Sequence, residues 1–90
     1  MFVVDVDFGD PEQGFRQAEV LTNGIRRKFS DQDIWLSRRF NLVRVVTPHA
    51  ELAGNIAAHV IQTTQFSART LKDELMPVMM RVYHQGESDA

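Results

Sequence analysis

Phe2-Val3-Val4-Asp5-Val6-Asp7-Phe8 (residues 2–8) alternates with a period of two. In an extended chain Phe2, Val4, Val6 and Phe8 fall on one side and Val3, Asp5 and Asp7 on the other, one row suited to a core and one mostly acidic. Gly9-Asp10-Pro11 ends this strand. Asp10, Pro11 and Gln13 then occupy the N-cap, first helical and capping-box positions of a helix. Phe15, Ala18, Leu21 and Thr22 recur at helical spacing, and Asn23-Gly24 offers a left-handed stop, so the pattern predicts a helix over residues 11–22.

A second strand is predicted at Asn41 to Thr47, where Leu42, Val43, Val45 and Val46 form a β-branched run ended by Thr47-Pro48. Thr47 can cap a following helix with Pro48 in its first position, and Leu52, Ile56, Val60 with Ala53, Ala57, Ile61 build its apolar stripe through about Thr63. Between these elements the signals conflict. Ile25, Arg27 and Phe29 alternate like a short strand; Ser30 and Asp33 resemble a capping box that favours a short helix from Asp31 to Arg39, while Trp35 and Leu36 also suit a hairpin. Towards the end, Ser67 is placed to cap a short helix carrying Leu71 and Leu75, which Pro77 terminates. Val78 to His84 alternates as a last strand, the rival being a Pro-kinked helix to Tyr83, and residues 85–90 have no apolar anchor and are expected to form a mobile tail.

The order strand, helix, strand, strand, helix, strand resembles the ferredoxin-like βαββαβ arrangement. It implies a single α+β domain over residues 1–84, a ferredoxin-like sandwich with an extra short helix; the alternative is a mainly helical domain with a two-stranded sheet. Ninety residues with 43% hydrophobic and 24% charged content suit one folded core. Without cysteine there is neither a disulfide nor a thiolate metal to reinforce so small a core, which leaves dimerisation as a source of stability. The acidic start contradicts a signal peptide, no apolar run reaches the ~20 residues of a membrane span, and the expectation is a cytoplasmic protein.

Function is sought in the sheet's second face. Leu42 and Val46 point one way and Val43 and Val45 the other; on the last strand Met79 and Tyr83 oppose Val78, Met80 and Val82. Helices cover one face, so the other is expected to associate, with Val43, Val45, Met79 and Tyr83 as contacts of a homodimeric binding, regulatory or assembly protein.

A second hypothesis rests on charge. Residues 25–47 carry Arg26, Arg27, Lys28, Arg38, Arg39 and Arg44 against Asp31 and Asp33, whereas residues 1–24 carry only Arg16 against five acids. Converging arginines would grip phosphate while Phe29, Trp35 or Phe40 stacks on unpaired bases, giving an RNA, single-stranded DNA or anion-binding module. Pairing of the two islands is the alternative, and the net charge of -2 supplies no general attraction to nucleic acid.

Catalytic and metal chemistry have thin support. Asp5, Asp7 and Asp10 offer hard oxygen ligands, although Asp5 and Asp7 equally suit salt bridges to Arg44 or Arg81 on neighbouring strands. His49, His59 and His84 have no metal-ligand spacing, and Ser30, Ser37 and Ser67 lack a nucleophile motif. No cofactor is implied. An enzyme would need a site assembled between subunits from Asp5 or Asp7 and a histidine.

Overall fold

β1, Phe2–Asp7, lies inside a four-stranded sheet of order β2-β3-β1-β4, in which every neighbouring pair is antiparallel. The computed structural model describes residues 1–71 and 79–85. In chain order, β1 is followed by α1 (Pro11–Lys28), β2 (Trp35–Arg39), β3 (Leu42–Thr47), α2 (Ala50–Leu71) and β4 (Met79–His84). α1 carries the chain from β1 to β2 across the position of β3, and α2 carries it from β3 to β4 across β1. The domain is α+β, and its four strands replace the mainly helical alternative.

Both helices pack on one face. Val4, Val6, Val43 and Val45 from the central strands form one cluster with Ala18, Leu21 and Ile25 of α1 and Leu52, Ala53, Ile56 and Val60 of α2. The alternation read in residues 2–8 is therefore the core boundary itself: Val4 and Val6 are buried, Phe8 closes the end of the core, and Asp5 and Asp7 point away.

α1 begins as its sequence predicts, with Asp10 as N-cap and Asp10 Oδ1 accepting from the Glu12 amide at 2.9 Å. Gly9 takes φ 84°, a left-handed turn suited to glycine, and donates its amide to Asp7 Oδ1 at 2.8 Å. The helix does not stop at Asn23-Gly24. It continues to Lys28 because Ile25 extends the Ala18–Leu21 stripe into the core, and burying that side chain outweighs the roughly 1 kcal/mol that a helical glycine costs relative to alanine. The strand expected at Ile25–Phe29 is thus the last turn of α1, and Arg26, Arg27 and Lys28 sit at its negative dipole end.

The helix expected at Asp31–Arg39 is replaced by a loop and by β2. Its capping box does not form, since the Asp33 carboxylate instead meets His49 Nε2 at 3.3 Å. Trp35–Arg39 pairs along β3 through a tight connection in which Phe40 adopts φ 58°, so a tertiary ladder overrides a local helix signal. α2 continues past Thr63 and through Ser67 to Leu71, leaving no separate helix starting at Ser67. Leu75, Pro77 and Val78 lie outside the described residues. β4 agrees with the strand expected there and excludes a helix at Met79–Tyr83. Gln85 is not free: its amide donates to the Met1 carbonyl, and the Met1 ammonium donates to its carbonyl at 3.0 Å.

Two helical glycines differ in what surrounds them. A Cβ on Gly14 would stand 2.7 Å from Asn41 Cβ and 3.1 Å from Phe8 Cβ, whereas one on Gly54 meets nothing within 4 Å. Gly54→Ala is therefore expected to stabilise the fold by about 0.5–1 kcal/mol through helix propensity. Gly14→Ala should destabilise it by roughly 1–3 kcal/mol through overpacking. Urea midpoints for the two variants should move in opposite directions.

His59 stands edge-on to Phe29, with ring centres 5.8 Å apart, in a partly buried setting. Burial and the nearby Lys28 charge lower its pKa below the ordinary 6.5, so the unfolded chain takes up this proton more readily than the folded one. Its contribution to stability is complete above 6.5 and is lost as pH falls from there through the lowered folded value. Urea unfolding between pH 7.5 and 5 should show this decline, and His59→Gln should flatten it.

Candidate functional site on the open sheet face

The register divides the uncovered face into three rows running across the strands in the order β2, β3, β1, β4. The first row is Trp35, Val46, Val3, Tyr83; the second is Ser37, Arg44, Asp5, Arg81; the third is Arg39, Leu42, Asp7, Met79. An apolar and aromatic stripe thus lies beside a charged one. Trp35 is 58% exposed and Leu42 44%, while Val3, held between Val46 and Tyr83, is fully buried.

The charged row is organised around Asp5. Arg44 grips it with two hydrogen bonds, Nε to Oδ1 at 2.8 Å and Nη2 to Oδ2 at 3.0 Å, the forked geometry that guanidinium and carboxylate share. Tyr83 donates its hydroxyl to Asp5 Oδ2 at 3.0 Å and accepts from Arg44 Nη2 at 3.3 Å, closing a three-membered network. The Arg44 hydrogen bond is the main force lowering the Asp5 pKa below the ordinary 3.8; partial burial opposes it, and the Tyr83 hydroxyl adds to it. The Arg44 pKa is raised by the same pair. Arg81 completes the row with its guanidinium 5.1 Å from the centre of the Tyr83 ring.

Next to this network the face dips into a groove of about 400 Å³, lined by Asp5, Asp7, Ser37, Arg39, Leu42, Arg44 and Arg81 over the strand backbone at Val6 and Val43, whose side chains face the helices. Asp7 Oδ1 accepts from the Gly9 amide and from Asn41 Nδ2, at 2.8 and 3.1 Å, so this acid also ties the β1–α1 turn to the hairpin of β2 and β3.

The residues expected to form an association surface do not share one. Val43 and Val45 are each 1% exposed and face the helices opposite Val6 and Val4, which corrects their assignment as contacts. Tyr83 belongs to the open face, and Met79 occupies a register position of the same parity. The apolar members the expectation missed are Trp35, Leu42 and Val46. Arg44 carried the available signal: a charged residue between Val43 and Val45 puts Leu42, Arg44 and Val46 together on the outer side.

The six cations of the basic island are likewise separated. Arg26, Arg27 and Lys28 are at the end of α1; Arg38 lies over the Phe15 ring, 4.5 Å from its centre; Arg39 and Arg44 are on the open face. Asp5, Asp7 and Asp10 each have internal partners, and among the described residues no group of three acids or histidines could hold a metal ion. His49 pairs with Asp33, His59 contacts Phe29 and Thr63, and His84 lies against Phe2, so the histidines are dispersed. No helix among the described residues is long and apolar enough to cross a membrane. Comparison of the chain with protein-family models, with curated proteins and with solved structures gave no match.

The Asp5 network is open to a direct check. Because the folded pKa of Asp5 lies below its unfolded value, its stabilising contribution is present above 3.8 and is lost as pH falls through the folded pKa. The stability gap between the unmodified chain and Asp5→Asn should therefore be widest near neutrality and narrow below pH ~3.8. Carboxyl NMR titration of Tyr83→Phe should show an Asp5 pKa higher than in the parent chain, since one hydrogen bond to the carboxylate is gone.

Proposed function

We propose that the chain is a small non-catalytic binding or assembly protein that works as a homodimer, two copies meeting through their open sheet faces. The observation that carries this reading is the three-row pattern, which complements itself under one particular two-fold rotation. Consider an axis lying in the contact plane, parallel to the strands and midway between β3 and β1. In every row it sets β3 over β1 of the second copy and β2 over β4. Trp35 then meets Tyr83 and Arg44 meets Asp5, while Val46 comes over the position of Val3, which its own chain already buries. In the first row apolar surface is stacked on apolar surface, in the second the two Asp5–Arg44 pairs become a square of alternating charge, and in the third Leu42 comes over Asp7. The other in-plane axis, running across the strands, would set Arg44 on Arg44 and Asp5 on Asp5, and like charges held opposite cost several kcal/mol. Sheet faces normally pack with mean strand directions about 30° apart, which leaves the centre of this pairing intact.

The same reading takes the fold as ferredoxin-like. Its support is the alternation of two helices with four antiparallel strands, each helix stepping over one intervening strand. On such a scaffold two helices occupy one face and leave the other for partners. Among the described residues the second hypothesis, nucleic-acid binding through residues 25–47, has its cations on three separate surfaces and lacks the convergence that phosphate recognition needs.

Sedimentation equilibrium over micromolar concentrations should show a dimer. Trp35→Ala, which removes an exposed aromatic ring from one end of the apolar row, should weaken association by about tenfold, corresponding to roughly 1.4 kcal/mol, with an unchanged circular-dichroism spectrum. A chain that stays monomeric at those concentrations would contradict the proposal.

A further inference from the structure

The geometry points to a second property of the same face: the groove is a binding site for a small molecule bearing an oxyanion group, carboxylate or phosphate, gripped by Arg39 and Arg81 with Ser37 as a hydroxyl partner. All of this lining comes from one chain, so the inference does not depend on the dimer reading, and a second copy paired as proposed above would compete with the ligand for this groove.

Three guanidiniums and two carboxylates line the groove. Asp5 is held by the fork of Arg44 and by the Tyr83 hydroxyl, and Arg44 is correspondingly occupied by Asp5. Asp7 uses Oδ1 for the Gly9 amide and the Asn41 side chain. Both acids are engaged in holding the fold, and one of the three cations is neutralised. Among the described residues neither Arg39 nor Arg81 makes an ion pair within 4.0 Å; Arg81 rests against the Tyr83 ring and acts on Asp5 only through space. The unfilled hydrogen-bonding capacity of the groove is therefore chiefly donor capacity, from two guanidiniums and a hydroxyl against Asp7 Oδ2, and its charge balance is positive.

Position supports the same chemistry. Arg39 stands on β2 and Arg81 on β4, at opposite edges of the sheet, yet both line one groove over β3 and β1. A ligand lying between them would receive guanidinium donors from two sides, the planar forked recognition that arginine gives carboxylates and phosphates. Leu42 supplies an apolar wall for a short carbon skeleton, and the strand backbone at Val6 and Val43, whose side chains face the helices, forms the floor. A cation is not favoured by this arrangement, because the three guanidiniums outnumber the two carboxylates of the lining.

The test is a titration of the ¹⁵N-labelled full chain with inorganic phosphate in one arm and succinate in the other, at ionic strength held constant with sodium chloride. Saturable shifts at Ser37, Arg39 and Arg81 are expected, the arm that saturates identifying the preferred oxyanion. Arg39→Gln and Arg81→Gln should each raise the apparent Kd at least tenfold, while Arg26→Gln, at the end of α1 and outside the groove, should leave it unchanged. Shifts that rise linearly in both arms, or a saturable response that neither groove substitution alters, would overturn the inference. Sedimentation of the ligand-free samples reports the assembly state separately, so a monomer there would count against the dimer alone.

Discussion

Two helices can bury one face of a four-stranded sheet, and every feature of this molecule follows from which face they take. The choice is made by β1, where Val4 and Val6 face the helices and Asp5 and Asp7 cannot. Hydrogen bonding to β3 and β4 then imposes that parity across the whole sheet, because neighbouring strands keep paired side chains on the same side. A slip by one residue would send two carboxylates into the core, at a cost of several kcal/mol for each unpaired charge. The acidic row thus fixes the register as firmly as the apolar row does.

That parity also settles how the outer face is built. With Asp5 pointing outward, Arg44 and Arg81 arrive opposite it from the strands on either side, and Tyr83 reaches the same carboxylate from the next row. An exposed ion pair contributes little by itself. Here its consequence is organisational: it draws Arg44 and Tyr83 to one point and leaves Arg39 and Arg81 at the margins of a groove. The apolar row beside it gives the face both surface to bury and charge to orient a partner, and the proposed dimer and proposed anion site draw on the same charged row, so a second copy and an anion compete for it.

Much of this was legible before any coordinates. Residues 2–8 and 41–47 carried their strands plainly, as did the stripe of Leu52, Ile56 and Val60, because each agrees with its own local period. The salt bridge between Asp5 and Arg44 was readable as an expectation from opposite charges on candidate strands. What misled were local stop and start signals that tertiary packing overrides. Asn23-Gly24 looks like a helix end until Ile25 is seen to be required in the core, and Ser30 with Asp33 looks like a helix start until Trp35–Arg39 finds β3. The contact surface was misassigned for a subtler reason. Leu42, Val43, Val45 and Val46 are all apolar, so hydrophobicity alone does not distinguish inner from outer; Arg44 does, and it places Val43 and Val45 inside. The groove depends on Arg39, Ser37 and Arg81, whose convergence requires the strand order β2-β3-β1-β4 and is invisible to any local pattern.

The central claim, that the uncovered face is completed by a second copy of itself, is tested most directly by isotope-filtered NMR on a mixture of labelled and unlabelled chains, which detects contacts only between molecules. The account predicts intermolecular contacts between the Trp35 indole and the Tyr83 ring. Contacts confined to the outer surfaces of α1 and α2, or none at concentrations where the chain is assembled, would contradict it.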